Sequence, residues 1–307
     1  MGIFGGLANA TQLEDKLASK GVTTEMVNAA GSDAATLVKI AEAFGVGMTD
    51  AWIESMIQAE NVLHMAFFGQ TYDLSKMREV LAQHGLSKIT FWKQVGLEVH
   101  FLPSMAISKD MPLDAWKVRP EQWFWDMADA RRLFYLRDGN LVIDTTVALH
   151  GIVVLIDTRK KPDYNDGKQK FARDGFMGAV IGQLRKEGKL AHYQYGPQTS
   201  RFGISPNEWE EHLKVAWAEG LGLEPSQLRL ETTIEANMIP QIFTNMPRKN
   251  DGQTNTWCWY DEYLDNASSR LVGGGSVCGG LASVYYGDSG YRWGNDAVRP
   301  LGVLARA

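Results

Sequence analysis

Two cysteines in 307 residues, Cys258 and Cys278, are too few for a disulfide framework. They read either as ordinary buried thiols or as one pair. Long apolar runs are missing too: no stretch reaches the ~20 residues that cross a membrane as a helix. The opening "MGIFGGLANATQ" has neither the basic flank nor the apolar run of a secretory signal. Gly6 stands where a myristoylation motif built on Gly2 requires Ser or Thr. A soluble chain with no visible export address is therefore expected. There is no excess of basic charge: the formal net charge is −5 with both signs interspersed, which excludes nucleic acid as the main partner. The 6 histidines are scattered, and no phosphate loop or nucleophile elbow occurs. Neither a metal, a cofactor nor an enzymatic centre is expected. The last absence is local. From Ser268 to Pro300 the chain contains no Lys and no Glu, although 22% of all residues are charged.

What is present begins with helices. At 307 residues and 45% hydrophobic the chain has room for more than one folding unit, since single cores seldom grow past about 250 residues. Residues 1–87 read as a small helical segment. "TQLEDKLASKG" carries the capping box Thr11/Glu14, and the segments that follow stop at Gly45, Gly69 and Gly85. In the third, Trp52, Ile53, Met56, Ile57, Leu63 and Phe67 form one apolar stripe.

From Lys88 the texture changes. "KITFWKQVGLEVHFLP" and "GNLVIDTTVALHGIVVLIDT" are rich in β-branched and aromatic residues and read as paired strands, the second folding back around "HG". "RPEQWFWDMADARR" between them reads as a helix from Pro120, and another spans roughly Lys168 to Glu187. "SPNEWEEHLKVAWAEG" has the fullest start signal in the chain: Ser205 as cap, Pro206 in the first turn, Glu208 closing the box, and Gly220 as the stop. Strands, helices and then an irregular Gly- and Trp-rich β-region make an α+β layout.

Three motifs come near to chemistry and fall short. "DYNDGK" from Asp163 to Lys168 begins like a calcium loop but lacks the closing bidentate Glu. "WGNDA" at Trp293–Ala297 is a Trp-Asn-Asp lectin pattern interrupted by Gly294. Cys258 and Cys278 lie in a Trp- and Gly-rich region as the two late cysteines of formylglycine-generating oxidases do, so a copper oxidase using both is the alternative function.

The tail itself mixes Tyr and Trp with Gly, Ser, Asn and Asp, the chemistry that antibody loops use for recognition. "TWCWYDEYLDN" followed by "SSRLVGGGSVCGGLASVYYGDSGYRWGNDAVRPLGVL" resembles the variable region of the C-type-lectin-fold variable proteins of diversity-generating retroelements. A looser resemblance extends from Lys88 through "VLIDTRKKPDYNDGKQKF" and "SRFGISPNEWEEHL" to Ala307. The resemblance implies a C-type-lectin-like domain over 88–307, of the variant found in formylglycine-generating enzymes, with a variable ligand-binding region at about 257–300. It also implies that an error-prone reverse transcriptase rewrites the gene's 3′ end opposite template adenines. Carried onto this chain, the scaffold is Trp257, Trp259, Arg270, Leu271, Gly273, Gly274, Gly280, Leu281, Arg299 and Pro300, with Ala282 and Val298. The variable, outward-facing positions are Val272, Gly275, Val277, Cys278, Tyr285, Tyr286, Gly287, Asp288, Tyr291, Trp293 and Asn295, with Tyr260 and Ser283 as further positions. The partner implied is a protein or cell-surface ligand, and attachment to a larger assembly such as a virion fibre is expected.

Overall fold

A computed structural model describes residues 49–137, 140–143, 147–157, 174–243, 257–274 and 282–306. The expected helices and capping box before residue 49, the Asp163–Lys168 turn and the polar break at 245–256 lie outside the described residues.

Helix α1 (Thr49–Phe68) ends, as expected, before Gly69, which takes φ 72°. Its inward face continues the stripe Ile53, Ile57, Phe67 through two polar residues at the same helical spacing, Glu60 and His64, both buried. Helix α2 (Ser75–Gln94) bends at Gly85, where φ 71° and ψ 162° break the helical backbone. The helix then resumes, which corrects the expected strand over "KITFW". Ile89 and Trp92, three apart, are both buried, and Trp92 Nε1 donates to the Leu221 carbonyl at 3.0 Å. Burial of a side chain that size contributes a few kcal/mol and overrides the weak strand preference of Ile, Thr and Phe.

Strands β1 (Leu97–Ala106), β4 (Ala148–Asp157), β5 (Leu228–Leu230) and β10 (Pro300–Arg306) form an antiparallel sheet in the order β1-β4-β10-β5. Both faces of β4 are covered, which is why it reads as the unbroken apolar run Ile152–Ile156. Val153 and Leu155 enter one core beside α1 and α2, while Ile152, Val154 and Ile156 enter the other. The second sheet follows the order β3-β2-β6-β7-β8, comprising β3 (Asn140–Ile143), β2 (Leu133–Arg137), β6 (Trp257–Leu264), β7 (Ser269–Gly273) and β8 (Val284–Asp288). Strand β9 (Asp296–Ala297) adds to β6 in parallel. The expected hairpin around "HG" is not formed: His150 and Gly151 sit inside β4, and β3 pairs with β2 in the other sheet.

The helices fill the two cores. Helix α3 (Gln122–Asp129) and α7 (Thr233–Ile242) line the second, and α4 (Gly175–Lys186) the first. A helical run of α5 (Pro206–Glu208), a π turn (Trp209–Leu213) and α6 (Lys214–Leu221) also enters the first core. The Ser205 box is present: Ser205 Oγ accepts from Glu208 N at 3.2 Å and Glu208 Oε2 accepts from Ser205 N at 2.9 Å. The run stops at Gly222 (φ 65°), not Gly220, whose absent side chain leaves room for the Phe176 ring. The boundary expected after residue 87 falls inside α2. Residues on both sides of it, Met77, Val80 and Leu81 before and Ile89 and Trp92 after, join the core that holds β1, β4 and α6. From Thr49 onward the described chain shares one body of α+β type.

Candidate functional site

Strand β8 is one of the two outer strands of the second sheet among the described strands, and buried and exposed residues mix along it. Tyr285 and Tyr286 are 59% and 43% exposed, and Tyr291 in the following loop is 56% exposed. The rings are ordered by one another. Tyr285 stacks on Tyr286 at 5.5 Å between centroids, Tyr286 lies over Trp123 of α3 at 6.0 Å, and Tyr291 meets Trp293 at 5.9 Å. Asp288 is exposed beside them, its Oδ1 accepting from Gly290 N at 2.7 Å. Trp123, Tyr286 and Tyr285 thus form one stack, and Tyr291 and Trp293 a second pair in the loop that follows.

The backbone beneath is fastened by buried charge. Arg270 is fully buried: its Nε donates to the Tyr260 carbonyl at 2.6 Å, one terminal nitrogen reaches Glu210 and the Tyr263 hydroxyl at 3.0 Å each, and the other reaches Asp261 at 2.9 Å. A buried arginine is tolerable only with that degree of satisfaction. Arg299, also buried, donates to the Asp157 carbonyl at the end of β4. Asp157 in turn pairs with Arg201 at 2.8 Å, and Arg201 makes a two-pronged bond to Asp174 at 2.8 and 2.7 Å. From the surface side, Arg292 Nε reaches the capping residue Glu208 at 2.9 Å, tying the loop to the helix start. Burial pushes the Glu208 carboxyl up, but hydrogen bonds from Ser205 and Ala191 and the Arg292 charge hold it below its ordinary range.

The expected scaffold residues are placed as follows. Trp259 and Leu271 are buried, Trp257 is half-buried and Pro300 is buried at the start of β10. Gly273 admits no side chain, because a Cβ there would lie 2.6 Å from the Ser283 carbonyl oxygen and against the Tyr260 hydroxyl. Gly274 takes φ 107°, a conformation L side chains rarely adopt. Gly280 and Leu281 lie outside the described residues, as do Gly275, Val277 and Cys278 among the variable positions.

Several expected outward positions face inward. Val272 is buried opposite Trp259, and Tyr260 and Ser283 are buried too. Gly287 is buried, with the Trp293 and Trp259 rings 2.8 and 2.9 Å from where a Cβ would stand. Trp293 is half-buried and stacks on Trp259 at 5.6 Å, so it belongs to packing as much as to the surface. The reason differs between the two faces of the sheet. Val272 and Gly287 pack on the side of the Trp259–Trp293 stack, while Tyr260 lies in the opposite core and Tyr260 and Ser283 close around Gly273. Cys258 is buried in β6, in the core with Leu271 and Ala297.

Val272, Tyr285, Trp293 and Asn295 nevertheless converge. With Trp257 and Asp296 they line one cavity of about 300 Å3. A larger cavity of about 880 Å3 lies between α1, α2 and β1, with apolar walls and a charged end in which His100 pairs with Glu60 at 2.8 Å and lies 3.5 Å from Glu98. Among the described residues no group of three His, Cys, Asp or Glu side chains is placed to hold a metal ion, and no helix is long and apolar enough to cross a membrane. Comparison of the chain with protein-family models, with curated proteins and with solved structures finds no match. Trp123 and Asp296 were not nominated from sequence. Trp123 lies more than 150 residues from its stacking partner, and nothing in "WGNDA" signals that its aspartate is buried.

Proposed function

We propose that the protein is a ligand-binding display protein, and that its recognition surface is the aromatic face of β8 and the 288–296 loop. The observation that carries this reading is the convergence of Val272, Tyr285, Trp293 and Asn295 on one cavity beside exposed Tyr286, Tyr291 and Asp288. Large aromatic rings with few rotatable bonds, held over a backbone pinned by Arg270 and Arg299, lose little entropy on binding. The resemblance of the tail to variable proteins of diversity-generating retroelements extends the proposal: the domain is a C-type-lectin-like scaffold whose surface residues are rewritten at the gene. The partner in that reading is a protein or cell-surface molecule, and repeated copies on a larger assembly would add avidity.

The test is to sequence the gene's 3′ end and its flanks across a population of the source. Differences confined to codons for surface positions such as Tyr285, Tyr286, Asp288 and Tyr291, each facing an adenine in a nearby near-identical repeat, are the expected result. A uniform tail without a repeat would overturn the proposal.

A further inference from the structure

The cavity beside β8 has a polar group that the rest of the molecule does not use. Asp296 is 1% exposed, its Oδ2 has no hydrogen-bond partner, and the residue is one of the six that line the cavity. The backbone around it is held rigidly. Asp296 N donates to Trp293 O at 3.2 Å, Gly203 N donates to Asp296 O at 3.1 Å, and the Tyr193 hydroxyl donates to Gly294 O at 2.7 Å. Val272 and Asp296 are the buried members of its lining, and Trp257, Trp293 and Tyr285 are its more exposed aromatic members.

An orphaned buried carboxyl is costly unless something satisfies it. Burial without a partner pushes its pKa well above the usual carboxylate range. A cation seated against it would remove that cost and favour the ionised form. Aromatic faces around a carboxyl attract a positive head group through the ring quadrupole, most strongly when water is excluded. At about 300 Å3 the space fits one side chain or a small amine and lies at the low end for ligand sites.

We propose that this niche binds an alkylammonium group, with Asp296 as its counter-ion and Trp257, Trp293 and Tyr285 as the enclosing rings. The inference rests on the reading of this face as the recognition surface and names what it recognises. Asp296 lies outside the positions expected to vary. In a diversified surface it would be a constant anion with exchangeable walls.

The test titrates the full chain with n-butylammonium and with 1-butanol, its neutral isostere, following the indole N–H resonances of Trp257 and Trp293. Saturable shifts with the ammonium, and at least tenfold weaker response to the alcohol, are expected. Asp296→Asn should lower ammonium affinity at least tenfold, while Val62→Ser, at an exposed position on α1 away from the niche, should leave it unchanged. Equal response to ammonium and alcohol overturns the proposal, whatever the variants do. So does an Asp296→Asn protein that binds the ammonium as the parent does. Nα-acetyl-lysine methylamide separates the sources: binding at least as tight as n-butylammonium indicates a lysine side chain on a protein partner, and binding of the free amine alone a small amine. Both outcomes support the niche. A uniform tail in the sequencing experiment together with intact ammonium binding would remove the diversified reading and leave this site standing.

Discussion

Replacing Glu60 by Gln keeps the shape of a buried side chain and deletes its charge. Glu60 Oε2 accepts from His100 Nδ1 at 2.8 Å, Oε1 accepts from Phe101 N at 2.8 Å, and His64 Nε2 lies 3.5 Å from Oε1 while donating to Phe101 O at 2.9 Å. Burial alone would push Glu60 up and His100 down. Their mutual charge and hydrogen bond reverse both, taking Glu60 from 4.5 to about 2 and His100 from 6.5 to about 9, with Glu98 adding to the latter. Each displacement corresponds to about 3 kcal/mol at 1.36 kcal/mol per unit, and since the two report the same attraction from opposite ends it is counted once. Loss of one partner of a buried pair costs a similar ~3–5 kcal/mol. At roughly 2–4 °C per kcal/mol, Glu60→Gln should lower Tm by about 6–12 °C near pH 5.5.

The sign with pH follows from the direction of each shift. His100 is raised, so its contribution is complete below pH 6.5 and is lost as pH rises through about 9. Glu60 is lowered, so its contribution is complete above pH 4.5 and is lost as pH falls through about 2. The gap between parent and variant is therefore widest between about 4.5 and 6.5 and narrows by pH 9.5. Thermal unfolding followed by circular dichroism at pH 5.5 and 9.5 measures both. A variant within 2 °C of the parent at pH 5.5 would refute the reasoning, as would a parent His100 resonance that titrates near its ordinary 6.5. The same experiment tests whether α1 belongs to the body of the protein, because a detached helical segment would unfold without moving the main transition.

Three further outcomes are expected. Gly287→Ala places a methyl group against the Trp293 and Trp259 rings and should cost about 1–3 kcal/mol, read as a lower midpoint in urea unfolding. Tyr285→Ser and Tyr286→Ser, at exposed positions, should leave the midpoint within about 0.5 kcal/mol, whereas Trp293→Ala should lower it clearly; equal effects would deny the division between surface and stack. Ser205→Ala removes the acceptor for Glu208 N and should destabilise by about 1 kcal/mol, with Ser205→Gly milder.

Local signals proved readable where the physics was local. The Ser205–Glu208 box needs only four residues, and the stop at Gly69 needs one. The β character of the Gly- and Trp-rich tail was likewise visible, because β8 carries Val284, Tyr285 and Tyr286 itself. Long-range packing was not. Nothing near "KITFW" announces that Trp92 will be buried and donate to a carbonyl 129 residues away, and that burial favours the helix. Glu60 and His64 broke an apolar stripe that in space they complete, since their partners lie on β1. At the candidate site the aromatic face was legible from composition. The inward turn of Val272 and the depth of Asp296 were not, because both depend on the Trp259–Trp293 stack and on a parallel pairing between β6 and β9.

The place of β10 sets a schedule for synthesis. It lies between β4 and β5 and is the last of the described strands to leave the ribosome. At roughly 5–20 residues per second, β4 waits on the order of ten seconds for its second neighbour, and β5 has no partner in its sheet until then. A chain that stopped short of β10 would leave the first sheet open and the apolar edge of β4 uncovered. The first sheet therefore closes only in a chain synthesised through β10, and until then its most apolar strand has one edge unpaired.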